Sequence, residues 1–246
     1  MKRGAKIGLA ALVGVAVAAV AMPAAAQQLN LDFGSGASST TRIIQLLALT
    51  TVLSVAPSIL VMMTSFTRIV VVLSFLRQAL GTQSSPPNMV MVSLAMFLTA
   101  FVMAPTLEQC WQHGVQPYMD GQLEEAEAFD RTAKPLHAFM MRQTRPQDVR
   151  LFMDLSKSAT PEKAEDIPLK VVVPAFMISE LRRSFEMGFL IFLPFIIIDM
   201  VIASVLMSMG MMMIPPAMIS LPFKLIFFVL VDGWYMVVGS LVQSFV

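Results

Sequence analysis

The residues of this chain that could carry chemistry are few, and most stand in apolar surroundings. Asp199 lies near the middle of a long apolar run, Asp232 interrupts another, and Lys224 falls between them. A carboxylate at the centre of a membrane span costs about 2.5–3.5 kcal/mol on insertion scales, so Asp199 must face protein or water rather than lipid. Lys224, one or two turns into the returning segment, can pair with it. A proton relay through Asp199 and Asp232 is the functional alternative. No second acid or histidine stands at relay spacing in the same span, which favours a structural or assembly role for these charges. His113 and His137 lack partners at helical spacing and read as exposed side chains rather than ligands. Cys110 is the only cysteine, which excludes an internal disulfide and argues against a thiolate metal site. There is no phosphate-cradling glycine loop, HExxH, nucleophile elbow or CxxC pair. The residues therefore indicate no enzyme, no metal and no cofactor. Any transport this chain supports is energised by another protein or by an ion gradient.

The elements that position these residues are membrane helices. Of 246 residues, 57% are hydrophobic and only 13% charged, and the mean hydropathy is +0.74. A soluble domain is nearer half apolar and a quarter charged. The formal net charge of +1 points to neither nucleic acid nor a strongly acidic partner. The expected fold class is an all-α membrane protein, with about four hydrophobic helical segments in two hairpins and a small helical periplasmic insertion. Residues 1–26 have the form of a cleavable signal peptide: Lys2, Arg3 and Lys6, a small-residue apolar run, then Ala24-Ala25-Ala26. Its removal takes the formal charge from +1 to −2. An uncleaved anchor is the rival reading. A polar, Gly/Ser-rich lead-in occupies 27–42.

The first hairpin is placed at 43–107. Its first span is Ile43 to Met63, with Pro57 bending it, and its second is Met89 to Leu107. Between them Ile69 to Leu76 is too short to cross alone. It either continues the first helix or lies along the surface. Arg68 and Arg77 flank it, which puts this loop on the cytoplasmic side. A soluble insertion follows at 108–173, periplasmic by parity. Glu124, Glu125, Glu127 and Asp130 read as a solvated face. Pro135 and Pro146 each open a short amphipathic helix. Both bury little by themselves, so they must pack on each other, on the membrane helices or on another copy. The second hairpin spans 174–246. Pro174 opens its leading helix, Phe189 to Met207 is the third span, and Pro222 breaks the fourth segment. Arg182 and Arg183 run against the positive-inside tendency on the outer face, and Glu180 and Glu186 can pair with them.

Between the last two spans lies Met207-Ser-Met-Gly-Met-Met-Met-Ile-Pro-Pro216. Gly210 permits a sharp bend, and Pro215 and Pro216 stop the helix. A membrane turn is usually polar; this one is methionine, long, unbranched and soft. On residue chemistry alone it is either an ordinary hairpin turn packed on neighbouring helices or an adaptable apolar seal formed in a ring with copies of itself.

Several motifs in order resemble one family. They are Thr64-Ser-Phe-Thr-Arg68, Arg77-Gln-Ala-Leu-Gly-Thr82 with Pro86-Pro87-Asn88, and Pro174-Ala-Phe-Met-Ile-Ser-Glu-Leu181. Phe185-Glu-Met-Gly-Phe189, Phe192-Leu-Pro-Phe195, Asp199 to Pro216, Leu221-Pro-Phe-Lys224 and Val231-Asp-Gly-Trp234 continue the series. The stretch from Ile43 onward resembles the FliP family of flagellar export proteins. Ser184 stands where the family pattern suggests Ala or Gly. The lead-in and the acidic run at 122–130 carry no such motif. The resemblance implies a core component of the type III export gate at the flagellar basal body, in the bacterial inner membrane as a multi-pass protein. It implies a homo-oligomer assembled with FliQ and FliR, helped by FliO, above FlhA and FlhB, passing unfolded flagellar subunits. It implies a methionine gasket at Met209, Met211, Met212 and Met213, shaped by Gly210, Pro215 and Pro216. Asp199, Lys224 and Asp232 become buried charges for assembly, and Glu180, Arg182 and Arg183 candidates for contact between subunits. It also implies that the hairpins end above the bilayer plane, so the spans describe insertion rather than final placement. A virulence injectisome homologue shares the same motifs; the signal peptide and lead-in favour the flagellar version. An ion-coupled small-solute transporter would need a mid-membrane substrate site and an inverted repeat, and neither is seen.

Overall fold

A computed structural model describes residues 39–82, 84–157, 163–211 and 215–245. The signal peptide and most of the lead-in lie outside the described residues. Among those described, every regular element is helical. The helices are α1 (Ser39–Met62), α2 (Phe66–Leu80), α3 (Asn88–Cys110), α4 (Gln116–Met119), α5 (Glu125–Gln143), α6 (Pro146–Ser156), α7 (Leu169–Ser208), α8 (Pro216–Leu230) and α9 (Gly233–Gln243). A π-helical turn, Trp111–Val115, joins α3 to α4.

The chain divides into two units, residues 1–51 and 52–246. The described part of the first is the leading half of α1, which begins inside the expected lead-in. Its Ile43, Ile44 and Leu47 are exposed. The hydroxyls of Thr50 and Thr51 donate to the carbonyls of Leu46 and Leu47 one turn back, so these polar groups do not face lipid unpaired.

The second unit is built around α2. Its Ile69, Val72, Leu73 and Leu76 are fully buried, at the i, i+3, i+4, i+7 spacing that lines one helical face. Burying four such side chains contributes roughly 6–12 kcal/mol before entropy is counted. The first three pack with Met91 and Ala95 of α3 and Leu241 of α9. Leu76, Ala79 and Leu80 pack with Phe195 of α7 and Phe228 of α8. The expectation that this run continues the first helix or lies on the surface is therefore corrected. It is a separate core helix, because four other helices supply the apolar cover that lipid was expected to provide. Arg68 and Arg77 accordingly stand in the first and last turns of α2, not in a loop. Gly188 permits the close approach of α2 and α7: a Cβ there would lie 2.4 Å from Phe75 Cδ2.

The insertion helices pack on the membrane helices, one of the three options the sequence left open. Phe139 and Met140 of α5 join Met103 of α3 and Val172 and Phe176 of α7. Val149 and Met153 of α6 join Val171 and Ala175 of α7. Pro146 opens α6 as its spacing indicated, and Glu124, Glu125, Glu127 and Asp130 are solvent-exposed. Pro135 opens nothing; it lies inside α5, which begins at Glu125.

Helix α7 has 40 residues, about 60 Å at 1.5 Å per residue and twice the hydrocarbon thickness. The leading helix and third span are thus one element. It starts after Pro168, with Pro174 in its interior, because α5 and α6 pack along that half and hold it straight on into the insertion. The fourth segment does not break at Pro222, which lies inside α8. It breaks at Val231–Asp232, where Asp232 adopts the left-handed conformation (φ +50°), and α8 and α9 meet at 64°. Among the described residues two helical stretches, Asn88–Met119 and Leu169–Ser208, are long and apolar enough to cross a membrane, with a third if the bent α8–α9 pair counts as one span. The protein is an all-α membrane protein.

Candidate functional site

The methionine turn begins as a helix ending. Gly210, at φ +73°, donates its N–H to the Met207 carbonyl (3.1 Å), and Met211 donates to Leu206 (3.0 Å). This crossed pair is the Schellman motif, and a left-handed residue after the C-cap is what it requires. No atom lies within 4 Å of a Cβ built at Gly210, so the glycine is needed for backbone conformation and not for room. Pro215 is extended (ψ 119°), and Pro216 occupies the first turn of α8, where the missing N–H costs nothing. Met209 is 64% exposed and Met211 43%, so neither fills a gap within its own chain. Met212 and Met213 lie outside the described residues.

Two turns from this tip a charge cluster ties α7, α8 and α2. Lys224 Nζ lies 2.6 Å from Asp199 Oδ2, and Ser220 Oγ donates to Asp199 Oδ1 (2.5 Å). Lys224 also donates to the Ala79 carbonyl (3.3 Å) in the last turn of α2, the end of a helix that favours a cation. The ammonium is buried, and the carboxylate keeps 38% of its side chain exposed. The pairing of Asp199 with Lys224 is the one the sequence allowed; the third helix at the cluster was not legible. Asp232 does not belong with them. It is exposed in the α8–α9 turn, so its reading as a buried charge is corrected. A left-handed non-glycine position favours Asp or Asn, which explains its presence there.

A second cluster lies at the other end of α2. Arg68 and Glu180 are both fully buried and ion-paired. Arg68 Nε donates to Glu180 Oε2 (2.8 Å), and one Nη2 hydrogen goes to Glu180 Oε1. The other Nη2 hydrogen goes to Gln143 Oε1 (3.1 Å), and Nη1 donates to the carbonyl and hydroxyl oxygens of Ser244 (3.0 and 2.9 Å). All five guanidinium hydrogens are thereby used, and the Phe245 ring stacks 3.8 Å from the guanidinium carbon. Burial pulls the Arg68 pKa down from its ordinary value, and the Glu180 carboxylate opposes that shift. The expectation that Glu180 pairs with the adjacent arginines is corrected. On its face of α7 it meets Arg68, 112 residues earlier, and no part of it reaches the surface. Arg183 instead donates to Gln143 Oε1 (2.9 Å). Arg182 pairs with Glu186 on the exposed face (2.9 Å), as its spacing suggested. Ser184, in place of Ala or Gly, is buried and donates to the Glu180 carbonyl (2.7 Å), so its hydroxyl is satisfied.

A third contact that sequence reasoning missed docks the insertion. Arg145 grips Asp148 through Nε (2.9 Å) and Nη2 (2.8 Å). Ser179 Oγ of α7 donates to the same carboxylate and accepts from the Arg145 N–H (3.1 Å). The three-residue spacing of Arg145 and Asp148 was a signal for the pair, though not for its partner. His137 is half-buried, not exposed, with Nε2 at 2.8 Å from the Ile167 carbonyl. No group of three His, Cys, Asp or Glu suited to a metal occurs among the described residues. The arrangement is, among the described residues, one of ion pairs that tie helices together. It offers an exposed thioether tip carried on a frame whose internal charges are paired.

Comparison with known proteins agrees with the motif series. The chain matches the sequence profile of the FliP family over residues 49–241. It is 58% identical over 241 residues to the flagellar biosynthetic protein FliP of Caulobacter vibrioides, covering 96% of this chain and 91% of that protein. It is 54% identical to the FliP of Bacillus subtilis, covering 88% and 98%. The FliP of Aquifex aeolicus is 48% identical, with 82% and 85% covered. With most of both chains aligned at about half identity or better, this chain belongs to the FliP family.

Proposed function

We propose that this chain is a core pore-forming component of the flagellar type III protein export gate, passing unfolded flagellar subunits across the bacterial inner membrane. The observation that carries the reading is the methionine turn. A Schellman motif at one end and two prolines at the other bound it, and its described thioethers, Met209 and Met211, are exposed. Copies arranged around an axis would bring these soft side chains together as a ring of Met209, Met211, Met212 and Met213. Such a ring closes on itself at rest and deforms around an extended chain of any sequence. The assembly includes FliQ and FliR, uses FliO, and stands over FlhA and FlhB at the basal body. Arg182 and Arg183 are the charged candidates for contact between subunits; Glu180 is taken up inside its own chain. The insertion at 108–173 keeps its place on the periplasmic side, where span parity puts it. The flagellar names of the relatives favour this over an injectisome homologue.

Deletion of the gene tests it. Hook protein and flagellin should disappear from the medium and return with a plasmid copy. Hook protein is the stronger reporter, since flagellin expression can fall when the hook is missing. Normal export and swimming without the gene would overturn the assignment. Met211→Ala with Met212→Ala and Met213→Ala should leave assembly intact and make opened gates leak ions; unchanged permeability would remove the gasket.

A further inference from the structure

Helices α8 and α9 are apolar enough to be one span together, yet they meet at 64°. Neither crosses a bilayer alone: the 15 residues of α8 give about 22 Å and the 11 of α9 about 16 Å. Run on as one helix, residues 216–243 would reach about 42 Å, more than the hydrocarbon needs. From Leu225 to Phe245 the only charge is Asp232. The bend is packed into one shape. Asp232 turns it in the left-handed region (φ +50°). The Phe228 ring closes over Gly233, where a Cβ would lie 2.2 Å from it, and meets the Trp234 ring edge to face at 5.5 Å. At its far end α9 is held by Arg68, which donates to the Ser244 carbonyl and hydroxyl, and by Gln143, which donates to the Phe245 carbonyl (3.1 Å). Leu241, one turn earlier, is fully buried.

What Asp232 contributes is not a contact. Its side chain is exposed, caps nothing at the start of α9 and makes no ion pair among the described residues. Glycine would adopt the left-handed backbone at less cost. A carboxylate does what glycine cannot. In a straight 216–243 helix Asp232 would stand about 4 Å from the midpoint, where lipid disfavours an aspartate about a hundredfold. We propose that α8–α9 has two forms, a straight span in lipid and the bent pair described above, and that the Asp232 charge tips the balance to the bent one. The bend takes the carboxylate out of the middle of a span and lets the end of α9 reach Arg68 and Gln143. The proposal needs only that the chain enters a bilayer, so it stands or falls separately from the export assay.

Two spin labels read the form directly. They are carried by Ala217→Cys and Gln243→Cys, both at exposed positions, in the full-length chain with its only native cysteine removed by Cys110→Ser. Labelled chain is diluted with unlabelled chain in lipid nanodiscs, and the distance is taken by double electron–electron resonance. The backbone separation is about 39 Å in the straight form and about 33 Å at the 64° bend. With Asp232 in place the shorter distance should dominate. Asp232→Leu should raise the ratio of long to short about a hundredfold. Asp232→Gly should raise it about tenfold, since the easier left-handed backbone offsets part of the lost charge. Asp232→Glu keeps the charge and should leave the ratio within about threefold. If backbone conformation were the whole role of Asp232, Asp232→Gly would lower the ratio and Asp232→Glu would raise it as far as Asp232→Leu does. Either result would overturn the proposal. So would an unchanged ratio in Asp232→Leu, or a chain with Asp232 in place that is already straight.

Discussion

The buried pair of Arg68 and Glu180 allows a prediction that can be worked through in energy. Glu180→Gln keeps the shape but removes the charge and turns one acceptor oxygen into an NH₂ facing a guanidinium N–H. Arg68 would then be a cation with no exposure and only neutral acceptors at Gln143 and Ser244. Breaking a buried pair from one side costs about 3–5 kcal/mol. The remaining three hydrogen bonds hold the figure near the lower end, about 3 kcal/mol. Arg68→Met leaves the opposite charge stranded and also strips the Ser244 oxygens, so about 4 kcal/mol is expected. Removing both with Arg68→Met and Glu180→Met strands no charge. Gln143 keeps its bond from Arg183, and the double variant should cost only about 1–2 kcal/mol. The double variant should thus cost about 5 kcal/mol less than the two single changes taken together. At about 2–4 °C per kcal/mol for a chain of this size, each single change should lower the melting temperature in detergent by roughly 6–16 °C, and the double by less than either. A double variant less stable than both singles would refute the reasoning, because it would mean that the pair itself, and not the relief of stranded charge, carries the stability.

Three further outcomes follow from the same geometry. Gly210→Ala should destabilise the α7 ending by about 1–2 kcal/mol, and Gly210→Asn by less, since only the left-handed conformation and not space is at issue; protease sensitivity at the turn reads this directly. Gly188→Ala should cost about 1–3 kcal/mol by driving a methyl into the Phe75 ring, measured as a lowered melting temperature that Phe75→Leu partly restores. Lys224→Met should cost about 3 kcal/mol less the relief that the part-exposed Asp199 finds in water, and Asp199→Asn should cost more than Lys224→Met, because it leaves the buried ammonium rather than the half-wet carboxylate unpaired; chemical denaturation in detergent ranks the two.

How much could be read from the chain depended on the range of the interaction. Apolar content, the stop at Pro215-Pro216, the glycine at 210, the helix start at Pro146 and the pair Arg182–Glu186 are all set within a few residues, where backbone sterics and helical spacing decide. Membership of the family was equally legible, because its motifs are contiguous. Proline misled where neighbours outweigh it: Pro135, Pro174 and Pro222 lie inside helices whose flanks are held by packing. The run at Ile69 to Leu76 was ambiguous because a short apolar segment looks the same whether lipid or protein covers it. Only the fold brought α3, α7, α8 and α9 around it. The same holds for charge. Local spacing offered Glu180 the neighbouring arginines, but the burial of its face of α7 left Arg68 as the cation within reach. The sequence alone thus determined what this protein is made of and where its turns fall. Tertiary structure decided which charges meet, because an unpaired charge in an apolar interior costs more than any preference that sequence neighbours can express.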